Sequence, residues 1–239
     1  MPFNHVWAIE TKQMSESTTL NNQYSGETLI SPNLSIPSPS RPLQLGIMAS
    51  GDGTNFEAIA KAINDGELNA RITVVIHNNP DAKVKERAKQ YDIPTVLVDH
   101  REYDRRENFD HEIVAVLKSY GADWAVMAGW MRIITQVMLD GYPKRVINIH
   151  PSLLPSFKGI KAVEQALEAE VKITGCTAHL VDLEVDSGKI IMQAAVPVLP
   201  DDTVETLHAR IQQQEHLIFP KAIALAGTTI KDDRFGRIG

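Results

Sequence analysis

The feature that most restricts this chain is an alternation. Short apolar runs rich in β-branched residues are separated by stretches with apolar residues at helical spacing. Leu43–Ala49 is a nearly continuous apolar run with a turn signal after it, and it predicts a buried strand. Over residues 55–64, Phe56, Ile59, Ala60 and Ile63 recur at helical spacing. Residues 71–76, Arg-Ile-Thr-Val-Val-Ile, are continuous and β-branched, as in parallel strands covered on both faces. The pattern continues with a charged helix at 81–91, a strand at 95–98 and a helix at 105–120 that points Ile113, Val114, Val116 and Leu117 inward. Strands at 124–128 and 145–149 follow. This order implies an α/β fold with a doubly wound, mostly parallel sheet and right-handed crossovers.

The later part has another pattern. Residues 175–181 and 189–196 are two β-rich runs joined through Asp186, Ser187 and Gly188, which predicts a hairpin added to the sheet. Residues 204–226 read as a long amphipathic helix covering one face.

Residues 1–42 do not share this patterning. They hold seven Ser, four Thr, five Pro and only five charged residues, which predicts a disordered extension. No basic region precedes an apolar stretch there, and Arg41 is its one arginine against Glu10, Glu16 and Glu27, so neither a secretory nor an organellar leader fits. No apolar run approaches the roughly 20 residues that span a bilayer, and the expected location is cytoplasmic, with no membrane partner. The single cysteine, Cys176, excludes an intrachain disulfide framework and a Cys-rich zinc module. Of the formal net charge of −6, residues 43–239 carry −5. That balance disfavours nucleic acid as a partner, because neutralising phosphates requires a basic surface.

In open α/β sheets, ligands bind beyond the carboxyl ends of the strands. Two such segments are chemically unusual. The first is Ala49-Ser-Gly-Asp-Gly-Thr-Asn55. Two glycines permit a sharp turn and close backbone approach, and the free N–H groups of the next helix suit an anion. A dinucleotide loop would place a third glycine near Phe56 and an acid after the second strand, where His77-Asn-Asn79 stands. No Gly-Lys-Ser/Thr follows, which excludes a Walker loop. A monophosphate site fits better; an ordinary strand–helix turn is the plain alternative.

The second segment is Asn148-Ile-His-Pro-Ser-Leu-Leu-Pro155. Asn148 and His150 are two apart, so on a strand they share a face. An amide donor beside an imidazole can stabilise an oxyanion and move a proton. A lone histidine here is more often a packed or capping residue. Asp186 could favour the charged imidazole, but it is equally an ordinary turn aspartate, and sequence alone does not bring it to His150. The remaining histidines, at 5, 77, 100, 111, 179, 208 and 216, show no metal-ligand spacing, so no metal is expected. Ser50 and Ser187 lack a nucleophile-elbow context, and Cys176 reads as an inert core thiol.

Taken together, the glycine loop, Met127-Ala-Gly-Trp-Met-Arg-Ile-Ile134, the 148–159 segment, Gly175–Val181, Val185-Asp-Ser-Gly188 and Gln213-Gln-Glu-His-Leu-Ile-Phe-Pro220 resemble the phosphoribosylglycinamide formyltransferases. The match runs in order through 43–227. The resemblance implies one formyltransferase domain over 43–230 with a short tail at 231–239. It implies transfer of formyl from 10-formyltetrahydrofolate, as cosubstrate, to the amine of glycinamide ribonucleotide in purine biosynthesis. It implies Asn148, His150 and Asp186 as the catalytic set. Gly53, Thr54 and Asn55 would hold the phosphate, while Gln212, Gln213, Gln214 and Glu215 would line the glycinamide side. Arg106, Met131, Arg132, Ile133 and Ile134 would surround the folate together with Asn148. Asp182, Leu183, Glu184, Val185 and Asp186 would close its other side. The partners implied are small molecules, with the chain acting as a monomer or homodimer.

Two departures stand out. Some relatives carry Lys where Gln212 stands, and a Phe is common where this chain has Trp130. Methionyl-tRNA formyltransferase shares the His-Pro-Ser-Leu-Leu-Pro signature but is expected to need a further C-terminal domain and a basic surface. Formyltetrahydrofolate hydrolase would need an N-terminal regulatory domain that 42 Ser/Pro-rich residues do not supply. A non-catalytic nucleotide-binding module would explain the glycine loop but leave Asn148, His150 and Asp186 without a role.

Overall fold

The computed structural model describes residues 29–32 and 38–229. In chain order these form β1 (Ile30–Ser31), β2 (Leu43–Ala49), α1 (Thr54–Asn64), β3 (Ala70–His77), α2 (Val84–Gln90) and β4 (Thr95–Leu97). After one 3₁₀ turn at His100–Glu102 come α3 (Arg106–Ser119), β5 (Trp124–Met127), α4 (Gln136–Gly141), β6 (Val146–His150) and α5 (Ala162–Glu168). The last elements are β7 (Ile173–Leu180), β8 (Ile190–Pro197) and α6 (Val204–Thr229).

All strands join one sheet in the order β1-β8-β7-β6-β5-β2-β3-β4. The β6-β5-β2-β3-β4 part is parallel, and β7, β8 and β1 are added antiparallel. The α/β expectation, the added hairpin and the covering helix all hold. The chain leaves β2 for β3 on one side and later returns to β5 on the other, so the reversal lies between β2 and β5. Crevices at such reversals are where open sheets bind ligands.

Each face has its own core. Leu45, Ile47 and Ala49 of β2 pack with Phe56, Ile59, Val84, Leu207, Ile218 and Phe219 from α1, α2 and α6. Met48, one residue out of phase, packs with Val74, Ile76, Phe109, Ile113, Leu117 and Met138, under α3 and α4. Burying each such side chain contributes roughly 1.5–3 kcal/mol. In β3 the alternation slips once. Leu45 pairs with Ile72 but Gly46 with Val74, leaving Thr73 as the extra residue of a bulge. Ile72 and Val75 therefore reach the same core despite their odd spacing.

Two regions depart from the sequence reading. Helix α5 was not foreseen, because Lys161 precedes it in left-handed conformation and supplies no side-chain cap. Within the segment read as disordered, Ile30 and Ser31 pair with Ala194 and Gln193, and the Ala195 N–H donates to the Leu29 carbonyl at 2.9 Å. The reason lies outside the segment: β8 offers an edge of free backbone groups, and composition carries no record of that edge. Residues 1–28, 33–37 and the expected tail lie outside the described residues. Among the described residues, no helix is long and apolar enough to cross a membrane.

Candidate functional site

The loops after β2, β5 and β6 emerge side by side at the carboxyl edge of the sheet. The first is tied to the second: the Ser50 N–H donates to the Gly129 carbonyl at 3.0 Å, and the Met131 N–H donates to Ser50 Oγ at 2.9 Å. Ser50 therefore works as a splint between loops. Gly53 sits at φ 74 in the left-handed region, and a Cβ there would come within 2.5 Å of Val84. Both backbone and space therefore demand glycine, because α2 packs directly on the loop.

Helix α6 closes this loop from the other side. Gln212 Nε2 donates to Thr54 Oγ1 at 3.0 Å, and Asn55 Nδ2 donates to Glu215 Oε2 at 2.8 Å. Positions 212 and 215 are three apart and share a helix face. Gln213 lies between them and is exposed, so the structure separates it from this contact. Gln214 is buried, and its Oε1, like Asn55 Oδ1, has no hydrogen-bond partner among the described residues. Glu215 is only 5% exposed, and burial pushes its carboxyl up, against the opposing pull of Asn55, His208 and His150.

The catalytic candidates meet on the opposite face of the sheet from α6. In β6, Ile147 and Ile149 enter the core beneath α6, so Asn148 and His150 point the other way. Across the antiparallel ladder, Asn148 is opposite His179 and His150 is opposite Thr177. Asp186 arrives from the β7–β8 connection, at φ 51, a conformation that aspartate tolerates. Its Oδ2 accepts the Gly159 N–H at 2.8 Å and lies 3.4 Å from His150 Nδ1. His150 Nε2 lies 2.8 Å from the Phe157 carbonyl and must carry a hydrogen to bond it. A doubly protonated ring pairs with both oxygens at once. Asp186, which sequence alone could not bring to His150, is thus its neighbour.

His179 was passed over in the sequence reading for want of metal spacing, yet it belongs to this cluster. Burial pushes its ionisation below the ordinary histidine range, against the Leu180 carbonyl and Asp186. The neutral ring donates Nδ1–H to the Leu180 carbonyl at 2.9 Å, so Nε2 can only accept. Asn148 Nδ2 donates to it at 3.2 Å. His179 thereby fixes which way the Asn148 amide points and leaves its second N–H free to face a ligand. Strand parity was the available signal: His179 faces Asn148 once β7 pairs antiparallel.

The proposed folate-lining residues divide. Met131, Ile133, Leu183 and Val185 are exposed apolar side chains, whereas Ile134 is buried in the core under α3 and α4. Ile134 follows the inward phase of its loop and packs with Phe109 and Trp130 instead. Arg106, Arg132 and Asp182 are at least partly exposed, and Glu184 pairs with Lys158 at 2.9 Å. Trp130 stacks on Phe109 with ring centroids 5.9 Å apart. Cys176 is buried beside Ala178, and burial drives its thiol strongly upward, which makes it a core residue. Among the described residues no group of three or more His, Cys, Asp or Glu could hold a metal.

Residues 44–223 match the family model described as Formyl transferase. Phosphoribosylglycinamide formyltransferase of Bacillus subtilis is 39% identical over 180 residues, covering 75% of this chain and 92% of that protein. The human trifunctional purine biosynthetic protein adenosine-3 is 37% identical over 231 residues, and the chain spans about a quarter (23%) of that longer relative. Among solved structures, glycinamide ribonucleotide transformylase 1 from Symbiobacterium toebii has a TM-score of 0.77 at 44% identity, covering 79% of this chain and 89% of that one. Phosphoribosylglycinamide formyltransferase from Bacillus halodurans has a TM-score of 0.75 at 41% identity, covering 81% and 100%.

Proposed function

The chain belongs to the formyl transferase family, and from that premise we propose that it transfers the formyl group of 10-formyltetrahydrofolate to the amine of glycinamide ribonucleotide. The products are formylglycinamide ribonucleotide and tetrahydrofolate, a step in purine synthesis. The observation that carries the reading is the cluster of Asn148, His150, Asp186 and His179 at the strand ends, beside a glycine loop closed by α6.

The glycine loop and the first N–H groups of α1 supply donors for the ribonucleotide phosphate. Thr54 is already held by Gln212, a neutral partner, while Arg87 donates to the Asp52 carbonyl of the same loop at 2.8 Å. Glu215 and the unpartnered oxygens of Asn55 and Gln214 are acceptors suited to an amine or ribose hydroxyl. Met131, Ile133, Leu183 and Val185 are exposed apolar side chains of the kind that suits the flat ring of a folate.

The cosubstrate supplies an activated formyl carbon. The substrate amine attacks that carbon, and the carbonyl oxygen becomes an oxyanion. The free N–H of Asn148 and the imidazolium of His150 stabilise it, the oxyanion replacing the Phe157 carbonyl at Nε2. The Asp186 carboxylate, 3.4 Å from Nδ1, holds the ring's orientation. The C–N bond to the folate then breaks, and the proton lost by the amine ends on the departing folate nitrogen. The same reading gives the protein small-molecule partners, a cytoplasmic location and a monomeric or homodimeric state.

The test is an assay with purified protein, glycinamide ribonucleotide and a 10-formyl folate, following the folate absorbance. Turnover that requires the ribonucleotide is expected. A signal with water or charged methionyl-tRNA, and none with the ribonucleotide, would overturn the assignment.

A further inference from the structure

A row of polar side chains, buried at His150 and Thr177 and half-buried at Gln193, runs across three strands. The ladder sets His150 of β6 opposite Thr177 of β7, and Thr177 opposite Gln193 of β8. All three side chains therefore lie on one face. The segment after His150 folds back over this row. Thr177 Oγ1, fully buried, accepts the Leu154 N–H at 3.0 Å and donates to the Ser152 carbonyl at 2.7 Å. Gln193 Nε2 donates to the same Oγ1 and to the Leu154 carbonyl, each at 3.0 Å. The hydroxyl thus makes three hydrogen bonds, and two of its partners are backbone groups of one loop.

That loop supplies the two backbone groups that touch the acid–base pair. Phe157 gives the carbonyl at His150 Nε2, and Gly159 gives the N–H at Asp186 Oδ2. Its anchor is the Thr177–Gln193 pair. We propose that Thr177 and Gln193 are positioning residues for formyl transfer: they fix the 152–154 backbone, and through it the His150 ring and the Asp186 carboxylate. The inference rests on the reaction proposed above, but its structural part does not.

The physical argument turns on what replacement would leave behind. Thr177→Val keeps the volume and the β-branching, so the strand and its packing persist. It removes all three hydrogen bonds and strands a buried Leu154 N–H and a buried Ser152 carbonyl, which are costly to leave unpaired. The loop relieves this by shifting, and shifts of about 1 Å in a catalytic group cost about 100-fold in rate. Thr177→Ser keeps the hydroxyl and should keep the loop. Gln193→Met keeps the length of the side chain and removes only its two donors, so its effect should be smaller.

The experiment compares wild type, Thr177→Val, Thr177→Ser and Gln193→Met by steady-state kinetics and by NMR of histidine-labelled protein. The His150 signal is assigned by its loss in His150→Gln. Expected are a 10- to 100-fold fall in kcat for Thr177→Val with KM for both substrates within about threefold, a fall of a few fold for Gln193→Met, and rescue in Thr177→Ser. The hydrogen-bonded Nε2–H resonance of His150 should persist in wild type and Thr177→Ser and vanish or shift in Thr177→Val. Unchanged kcat and an unchanged ring resonance in Thr177→Val would overturn the proposal, as would equal losses in the Ser and Val variants. Should Thr177→Val fail to fold, Gln193→Met carries the decision: a wild-type kcat and ring signal in it would overturn the proposal. A wild type with the ring resonance but no formyl transfer would instead overturn the reaction assigned above.

Discussion

Glu215 is a buried acid in a helix interior, and replacing it with Gln should stabilise the fold while damaging the site. The residue is 5% exposed, and its carboxyl accepts a hydrogen bond from Asn55. Burial pushes its ionisation up, so the folded protein prefers the protonated form more than the unfolded chain does. An acid raised in this way favours folding fully below its unfolded value, near 4.5, and that contribution is lost as pH rises through the raised folded value. As pH rises past that unfolded value, the folded chain must either keep a proton that the unfolded chain gives up or bury the charge against the Asn55 donor, and either course costs stability. Glu215→Gln keeps the shape and an oxygen for Asn55 while removing the charge. Leaving a buried polar group poorly matched costs about 1–3 kcal/mol. For a domain of this size that corresponds to about 2–10 °C in Tm. Differential scanning fluorimetry from pH 4 to 8 should show the variant more stable near pH 8, with the gap closing toward pH 4. Formyl transfer should fall through a raised KM for the ribonucleotide, because the acceptor for its amine or ribose is weakened. A variant less stable than wild type at pH 8, or a gap that does not vary with pH, would refute the reasoning.

Three further outcomes follow from the geometry. Asp186→Asn should fold normally, since Asn also tolerates φ near 51, yet lose about 30- to 1000-fold in kcat; the 3.4 Å approach to His150 is worth about 5 kcal/mol in gross Coulomb energy at an effective dielectric constant of about 20, before offsetting desolvation. Near-normal turnover would remove Asp186 from the mechanism. Gly53→Ala should lower Tm by several degrees and raise KM for the ribonucleotide, because φ 74 costs an alanine about 1–2 kcal/mol and its Cβ meets Val84; a thermal melt and initial rates check this. Deleting residues 1–37 removes β1 but none of the site, so formyl transfer should remain largely intact while Tm drops by a few degrees; an inactive truncation would show that the segment supports the site directly.

The sequence by itself determined the sheet and the loops that serve it. The nearly continuous apolar run Leu43–Ala49, too short for a typical helix and followed by a turn signal, reads as a buried strand, and the structure places that strand within the same bounds. Parity put Asn148 and His150 on one face, and two glycines beside Thr54 and Asn55 marked a close backbone approach. Local pattern did not report the bulge at Thr73, the uncapped start of α5 or the pairing of Ile30 and Ser31 with β8. Each of those depends on a neighbour distant in sequence. The same limit applies within the site. Asp186 and His179 became partners of His150 and Asn148 only when β7 and β8 folded back antiparallel, and Gln213 and Ile134 were set apart by helix phase and core packing. Periodicity fixes which way a side chain points along its own element. Which side chain it then meets is decided by strand register and by the packing of helices over the sheet, and those are properties of the whole chain.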